Sequence, residues 1–386
     1  MNTNSIISIL TLRYDFTLKP LLPKLHWKDF FKKQDFTHSQ IREHIGQSIR
    51  AQIPNDYLGP ISVSLSGGID STLALCILKD YFPENKIDAI SIKFSNSIDE
   101  TEIASKIAKE IGVEHHIFEI ENFLEILPEA ISITKLPFWD THWLYVIKNA
   151  KKFSNYLISG DGGDELFGGY TFRYKKFLSK INSKSRLQEK ISTYLSCHER
   201  DHVPEQDKIF SKKINFQWNL IYEQLKPYFD NPLSPLDQVM LADYNGKLLY
   251  NFSIINSSLS KHYKLKQITP LLSEELIRKS CQIQSNKKFD LKQNHGKLIL
   301  RKILNDYKIE KLVSREKLGF SVNTETLWQN YGFDMANKYL TDSLLIQDGW
   351  IEKNWIKSNL YSKEIDIRHI NKLLGILAME IWYRNQ

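Results

Sequence analysis

The chain has 386 residues, 42% of them hydrophobic and 25% charged, with a formal net charge of +7. These are ordinary proportions for a soluble globular protein with a sizeable core and room for two or three domains. They come without any apolar run near the roughly 20 residues of a membrane-spanning helix, so no membrane partner is expected. The N-terminal MNTNSIISILTLRYDF has neither a basic region nor a small-residue cleavage site, and a cytoplasmic location is the expectation. Three cysteines, Cys76, Cys197 and Cys281, lack C-x-x-C spacing, which excludes a zinc cluster and a disulfide framework. The basic residues are spread along the chain with no compact run interleaved with aromatics, so nucleic acid is not the expected partner.

In chain order, residues 1–37 read as a mixed, extended arm containing Leu21-Leu22-Pro23. A helix follows over 38–54, with Thr37 as a cap and Ile41, Ile45, Ile49 and Ile53 four apart on one face. From residue 61 the period changes. Ile61–Leu65 reads as a strand and STLALCILKDYF as a helix carrying Cys76 on its apolar side. Asp88–Phe94 reads as a second strand. DETEIASKIAKEIG reads as a helix ended by Gly112. A third strand is predicted at His115–Ile120, helical stretches near Phe123–Ile133 and Thr141–Phe153, and a fourth strand at Asn155–Ser159. Strands alternating with helices predict a doubly wound parallel sheet with ligands beyond the strands' carboxyl ends. Past residue 175 strand signals fade, and Arg186–Leu195, Leu236–Tyr250 and Leu291–Leu304 read as helices of a helical lobe. The expected units are therefore an arm and helix (1–54), an α/β core (55–180) and a mainly helical lobe (181–386).

Two glycine-rich loops fall at the predicted ligand edge. The first, Ser66-Gly67-Gly68-Ile69-Asp70-Ser71, follows the first strand and opens a helix. Glycines let backbone N–H groups approach an anion, and the helix N-terminus adds its dipole. Asp70 beside phosphate needs a bridging cation, and Mg²⁺ with its oxygen ligands is the natural one. A Gly-Gly turn with a Ser/Asp helix cap is the plain alternative for this loop alone. The second loop, Ser159-Gly160-Asp161-Gly162-Gly163-Asp164-Glu165-Leu166-Phe167-Gly168-Gly169-Tyr170, crowds three acids among five glycines. That is a poor turn but a good site, offering a second metal ligand in Asp164 and a proton-handling carboxylate in Asp161.

Together the two loops resemble those of the asparagine synthetase family's synthetase domain, a branch of the PP-loop ATP pyrophosphatases. That family carries SGG-x-DS after its first strand and SG[ED]G-x-DE-x-FGGY after its fourth. Lys297-Leu298-Ile299-Leu300-Arg301 and Arg315-Glu316-Lys317-Leu318-Gly319-Phe320 are similar to its K-x-x-LR and R-x-K-x-GF elements, and the likeness spans roughly 38–330. The resemblance implies an adenine nucleotide α-hydrolase fold and ATP-dependent activation of a small carboxylate as acyl-AMP, with pyrophosphate released. Aminolysis by ammonia or another amine would follow. It implies ATP contacts from Leu65, Ser66, Gly67, Gly68, Asp70, Ser71, Phe94 and Gly160, and Mg²⁺ held by Asp70 and Asp164. Lys317 would stabilise pyrophosphate, with Lys297 and Arg301 as second choices. Asp161 stands where the family often has glutamate. Strand packing explains Leu65 and Phe94 equally well. A structural role is the expectation for His115 and His116, while Trp139, Asp140 and Trp143 fit either an acceptor pocket or the core.

Two departures qualify the implied reaction. Residue 2 is Asn, and only Met1 to Val63 precede the stretch from Ser64 that carries the first loop, so no glutaminase is expected within this sequence; free ammonia, a separate glutaminase, another protein partner or an amine substrate would supply nitrogen. A homodimer is compatible with the sequence. In Phe252–Leu276, Ile255, Ser257, Ser258, Ile268 and Ser273 stand where the family places charges expected to hold aspartate. That leaves an apolar or larger carboxylate, as in the family's β-lactam-forming and peptide-cyclising relatives, beside aspartate itself. A tRNA-modifying PP-loop protein and an ATP-binding scaffold without turnover are the remaining alternatives.

Overall fold

The computed structural model describes residues 2–314 and 322–386. Its centre is a five-stranded sheet, β1 (Ile61–Ser64), β2 (Ile87–Phe94), β3 (Glu114–Ile120), β4 (Tyr156–Ile158) and β5 (Lys266–Ile268), in the order β3-β2-β1-β4-β5. All four pairings are parallel, with Val63 opposite both Ala89 and Ile158. The strand order reverses between β1 and β4, so their loops emerge side by side, where doubly wound sheets bind ligands. β1 is buried throughout because both faces are covered. Its alternation of Ile61 and Val63 with Ser62 and Ser64 fits that position. Ser62 Oγ donates to the Ala150 carbonyl (3.3 Å), which satisfies the hydroxyl and admits the helix Trp143–Ala150 close to the strand.

The helix His38–Arg50 begins as its sequence predicts. Thr37 and Gln40 close a capping box, and Ile41, Ile45 and Ile49 are buried, with Ile53 just beyond. Gly112 ends the helix Thr101–Ile111 at φ +75, a conformation that favours glycine. Cys76 is buried in the core.

Four features differ from the sequence reading. Residues Thr3–Leu12 form a helix, capped by Asn2, whose Ile6, Ile7 and Leu10 are buried. This helix packs against the C-terminal helix Ile367–Arg384, a partner more than 350 residues away that no local pattern reveals. The second difference is β5, three residues from the otherwise helical half of the chain, paired to β4. The third is at 236–250: the helix Pro235–Asp243 runs into a wide-turned segment, Tyr244–Phe252, broken at Gly246 (φ −100°, ψ −120°) and followed by the helix Ser253–His262. Finally, helix replaces only the last part of Leu291–Leu304. Lys297 adopts φ +58, and the helix starts after it at Leu298–Asp306.

Candidate active site

The first loop closes on itself through its serines. Ser71 Oγ accepts from the Ser66 N–H (3.2 Å), lies 3.1 Å from Ser66 Oγ and donates to the Gly68 carbonyl (3.2 Å). Gly67 needs φ +74 to make the turn. Gly68 caps the helix Ile69–Tyr81 and, having no side chain, makes no side-chain cap bond to the first turn, whose N–H groups form the positive end of the helix dipole.

The second loop lies directly on the first. A Cβ added to Gly160 would stand 2.5 Å from the Asp70 carbonyl carbon and 2.6 Å from the Ser71 nitrogen, and one on Gly163 would overlap the Asp70 carboxylate. Glycine at 160 is thus a contact requirement between backbones, and glycine at 163 leaves room for the Asp70 carboxylate. Gly162 turns at φ +94 and starts the short helix Gly163–Phe167, on which Asp164 sits. Asp70 and Asp164 converge on one cation: Lys297 Nζ lies 2.5 Å from Asp70 Oδ2 and 2.7 Å from Asp164 Oδ1. Burial opposes charge on Lys297, but Asp164 and then Asp70 outweigh it and raise its pKa. Two carboxylates converging beside a helix N-terminus supply the hard oxygen ligands that Mg²⁺ takes, so the donor set fits this ion.

Asp161 faces a different way. Its Oδ2 accepts from Ser159 Oγ (3.1 Å), Asn256 Nδ2 (3.3 Å) and Gln267 Nε2 (3.3 Å). Gln267 is itself fixed, its carbonyl accepting from Trp143 Nε1 (3.1 Å) and Ser260 Oγ (2.9 Å). Burial, with Asp70 and Asp164 nearby, pushes the Asp161 carboxyl up to about 6 despite the Ser159 and Asn256 hydrogen bonds. Sequence reasoning missed Asn256, Ser260 and Gln267. They come from the helical lobe and β5, and their only sequence signal is a polar stripe within an otherwise apolar region.

Ser66, Asp70, Asp161, Asp164 and Trp143 all line one cavity of about 660 Å³ at the carboxyl edge of β1, β4 and β5. Leu65 and Phe94 line a separate narrow cleft of about 20 Å³ with Ser97 and Thr101 at the ends of β1 and β2. Leu65 is fully buried, and Phe94 packs edge-on against Phe123 at 5.4 Å.

Other expected residues lie elsewhere. Lys317, with the whole segment 315–321, lies outside the described residues; Ser314 just before it donates its N–H to the Gly67 carbonyl (3.2 Å). Arg301 is turned to Glu310 (2.8 Å) and the Gly296 carbonyl. Trp139 packs on Phe123 beneath the Arg13 guanidinium, and Asp140 pairs with Arg13, so both serve the interior. Of the five positions expected to be charged, Ile255 and Ile268 are core, Ser273 caps the helix Glu274–Gln282, and Ser257 reaches the cavity; Ser258 does not line it. His115 bonds Ser91 (2.7 Å) and Ser105 (3.0 Å), and His116 bonds Asp88 (2.9 Å) and stacks on Phe153. Lys86 bridges Asp88 and Glu114 beside His116, so this cluster carries its own cation.

Over 412 aligned residues the chain is 24% identical to the glutamine-hydrolyzing asparagine synthetase 1 of Bacillus subtilis strain 168, covering 95% of this chain and 63% of that protein. It is 33% identical over 149 residues to a putative glutamine-hydrolyzing asparagine synthetase 2 of Methanocaldococcus jannaschii, covering 34% of this chain and 29% of that one. The chain therefore spans less than two thirds of the length of these relatives. Among solved structures, an NH3-dependent NAD synthetase from Campylobacter jejuni is similar at 19% identity and a TM-score of 0.25, over 38% of this chain and 61% of that one. The family model for asparagine synthase matches residues 40–384, which include both glycine-rich loops, β5 and every residue lining the cavity except Leu21 and Leu22, and the chain belongs to that family.

Proposed function

We propose that the protein is an ATP-dependent, AMP-forming amide ligase that activates a carboxylate and transfers the acyl group to ammonia or an amine. The observation that carries this reading is the convergence of Asp70 and Asp164, from two separate loops, beside the helix start at Gly68. ATP would lie with its phosphates against Ser66, Gly67, Gly68 and Ser71, with Gly160 close by, and its adenosine toward Leu65 and Phe94. Mg²⁺ held through Asp70 and Asp164 would supply charge neutralisation to the triphosphate.

The chain's own residues account for the rest of the chemistry. An oxygen of the substrate carboxylate attacks the α-phosphorus. The bond from that phosphorus to the bridging oxygen breaks, and pyrophosphate leaves with Lys297 and Lys317 as countercharges. The amine nitrogen then attacks the acyl carbon, the acyl carbon–oxygen bond to AMP breaks, and the nitrogen's surplus proton goes to Asp161. A carboxyl near pKa 6 is suited to that step at neutral pH, where it is mostly ionised and still basic. The nitrogen source is ammonia, an amine substrate or ammonia from a separate glutaminase.

The test is pyrophosphate release from Mg·ATP and ammonium in the presence of candidate carboxylates, beside Asp70→Asn. Acid-dependent release that disappears in Asp70→Asn is the expected result. Measurable ATP binding with no release for any acid would reject the ligase reading in favour of a nucleotide-binding scaffold.

A further inference from the structure

We propose that β3 is a dimerisation edge: two copies of this chain pair antiparallel through Glu114–Ile120 about a two-fold axis at Ile117, joining their sheets edge to edge. The surface lies away from the cavity, and the inference stands apart from the ligase reading.

The two ends of the sheet differ. β5 is three residues long, too short to offer much to another strand. β3 is seven residues long and pairs with β2 over its whole length, from Asp88 opposite Glu114 to Phe94 opposite Ile120. A neighbour on one side of a strand leaves the N–H and C=O groups of the other side without partners. Among the described residues, no main-chain bond other than those to β2 reaches Glu114–Ile120. Every residue of β3 is at least partly exposed, whereas β1 is buried throughout and β2 nearly so. Its sequence, EHHIFEI, contains neither proline nor lysine, the residues that commonly guard an edge. Ile117, at the centre, is 45% exposed.

The pattern of β3 fits a second copy of itself. Residues directly opposite each other in an antiparallel pair project to the same face. Side chains alternate between faces, so a two-fold axis must pass through a residue and not between two. An axis at His116 pairs only residues 114–118, and one at Phe118 only residues 116–120. An axis at Ile117 pairs the whole strand. In that register Ile117 meets its own copy, which covers the exposed side chain. His116 faces the partner's Phe118, His115 the partner's Glu119, and Glu114 the partner's Ile120. No two carboxylates stand opposite each other, and like charges there would oppose pairing. His115 brings no charge of its own: it bonds Ser91 (2.7 Å) and Ser105 (3.0 Å), and burial, then His116, lowers its pKa. The helix Thr101–Ile111 packs on β2 and β3, and such an axis sets both copies of it on one face, where they add to the contact. No residue of β2, β3 or this helix lines the 660 Å³ cavity, so pairing leaves it open in both copies.

The experiment follows the mass of the full chain with concentration by analytical ultracentrifugation. A monomer–dimer equilibrium is expected. Ile117→Lys sets two ammonium groups face to face on the axis and should weaken it by at least about tenfold, with the parent's melting temperature retained because the position is exposed. Cysteine pairs test the register. Opposite Cβ atoms lie about 5 Å apart, so Ile117→Cys should link two chains on oxidation by oxidised glutathione. Glu119→Cys should not, because four residues separate it along the seam from its own copy, about 13 Å. The native cysteines are buried and contribute no background. A monomer at every concentration up to about 100 µM overturns the inference. A dimer that persists unchanged in folded Ile117→Lys also overturns it, as does Glu119→Cys linking as readily as Ile117→Cys.

Discussion

Lys297 places its ammonium 2.5 Å from the carboxylate of Asp70, across 227 residues of sequence. The same ammonium is 2.7 Å from Asp164, so one lysine from the helical lobe neutralises two acids from two loops of the sheet. It stands where a divalent cation would draw the same two carboxylates together.

Removing that ammonium takes away a countercharge that both buried acids share. Lys297→Met should therefore destabilise the nucleotide-free protein by about 3 kcal/mol, the usual loss when one partner of a buried ion pair is deleted. Mg²⁺ should restore part of the loss, raising the variant's Tm by more than it raises that of the parent. Thermal melts of both proteins with and without Mg²⁺ decide this. Equal Mg²⁺ responses would sink the idea that lysine and metal compete for one position.

Gly160 has no space for a methyl group, because the atoms in its way are the backbone of Asp70 and Ser71 and cannot rotate aside. Gly160→Ala should separate the two loops, cost about 2 kcal/mol or more in stability and weaken ATP binding by about tenfold or more. Urea unfolding and nucleotide titration read the two effects. Its φ is not in the left-handed region, so a parent-like Ala variant would contradict the contact itself.

Gln267 connects Trp143 to Asp161, accepting from the indole at 3.1 Å and donating to the carboxylate at 3.3 Å. Gln267→Leu removes a donor to the ionised form of Asp161, so the carboxyl should titrate above about 6. The acidic limb of the rate profile should then move to higher pH, because the base must be ionised to take a proton. In Asp161→Asn that limb should vanish along with most of the rate. A pH–rate profile for Gln267→Leu that overlays the parent would disconnect Gln267 from the proposed base.

Lys372 is buried near the Thr3–Leu12 helix, with its ammonium donating to the Leu10 and Asp201 carbonyls. Burial lowers its pKa to about 7, with Asp201 opposing and Arg13 reinforcing the shift. Between that value and the ordinary lysine value near 10.5 the unfolded chain binds more protons than the folded one. The stability contribution of Lys372 is thus fully present above the ordinary value and is lost as pH falls toward 7. Urea unfolding at pH 7 and pH 9 should show a rise with pH that shrinks in Lys372→Met. No change in that slope would mean the ammonium is not desolvated in solution.

The first four strands, their crossover helices and both glycine-rich loops were legible because each is encoded locally. Ile61 to Leu65 is a short alternating strand pattern, Gly67 and Gly68 end it, and the 3.6-residue period starts at once. Thr37 with Gln40, and Gly112, mark helix ends by the same local chemistry. β5 was not legible, since Lys266-Gln267-Ile268 is a strand only because β4 offers it an edge. The N-terminal helix was missed for a related reason: its apolar face has meaning only against Ile367–Arg384.

By itself, then, the sequence determined the first four strands with their crossover helices, the two glycine-rich loops and the acids on them, because turn chemistry and periodicity act within a few residues. The tertiary structure decided which of those acids meet, that Lys297 sits between two of them, and that Asp161 is held by Asn256 and Gln267. It also turned Arg301 toward Glu310 and Trp139 into the interior. These outcomes depend on contacts between segments tens to hundreds of residues apart, and no local pattern specifies them.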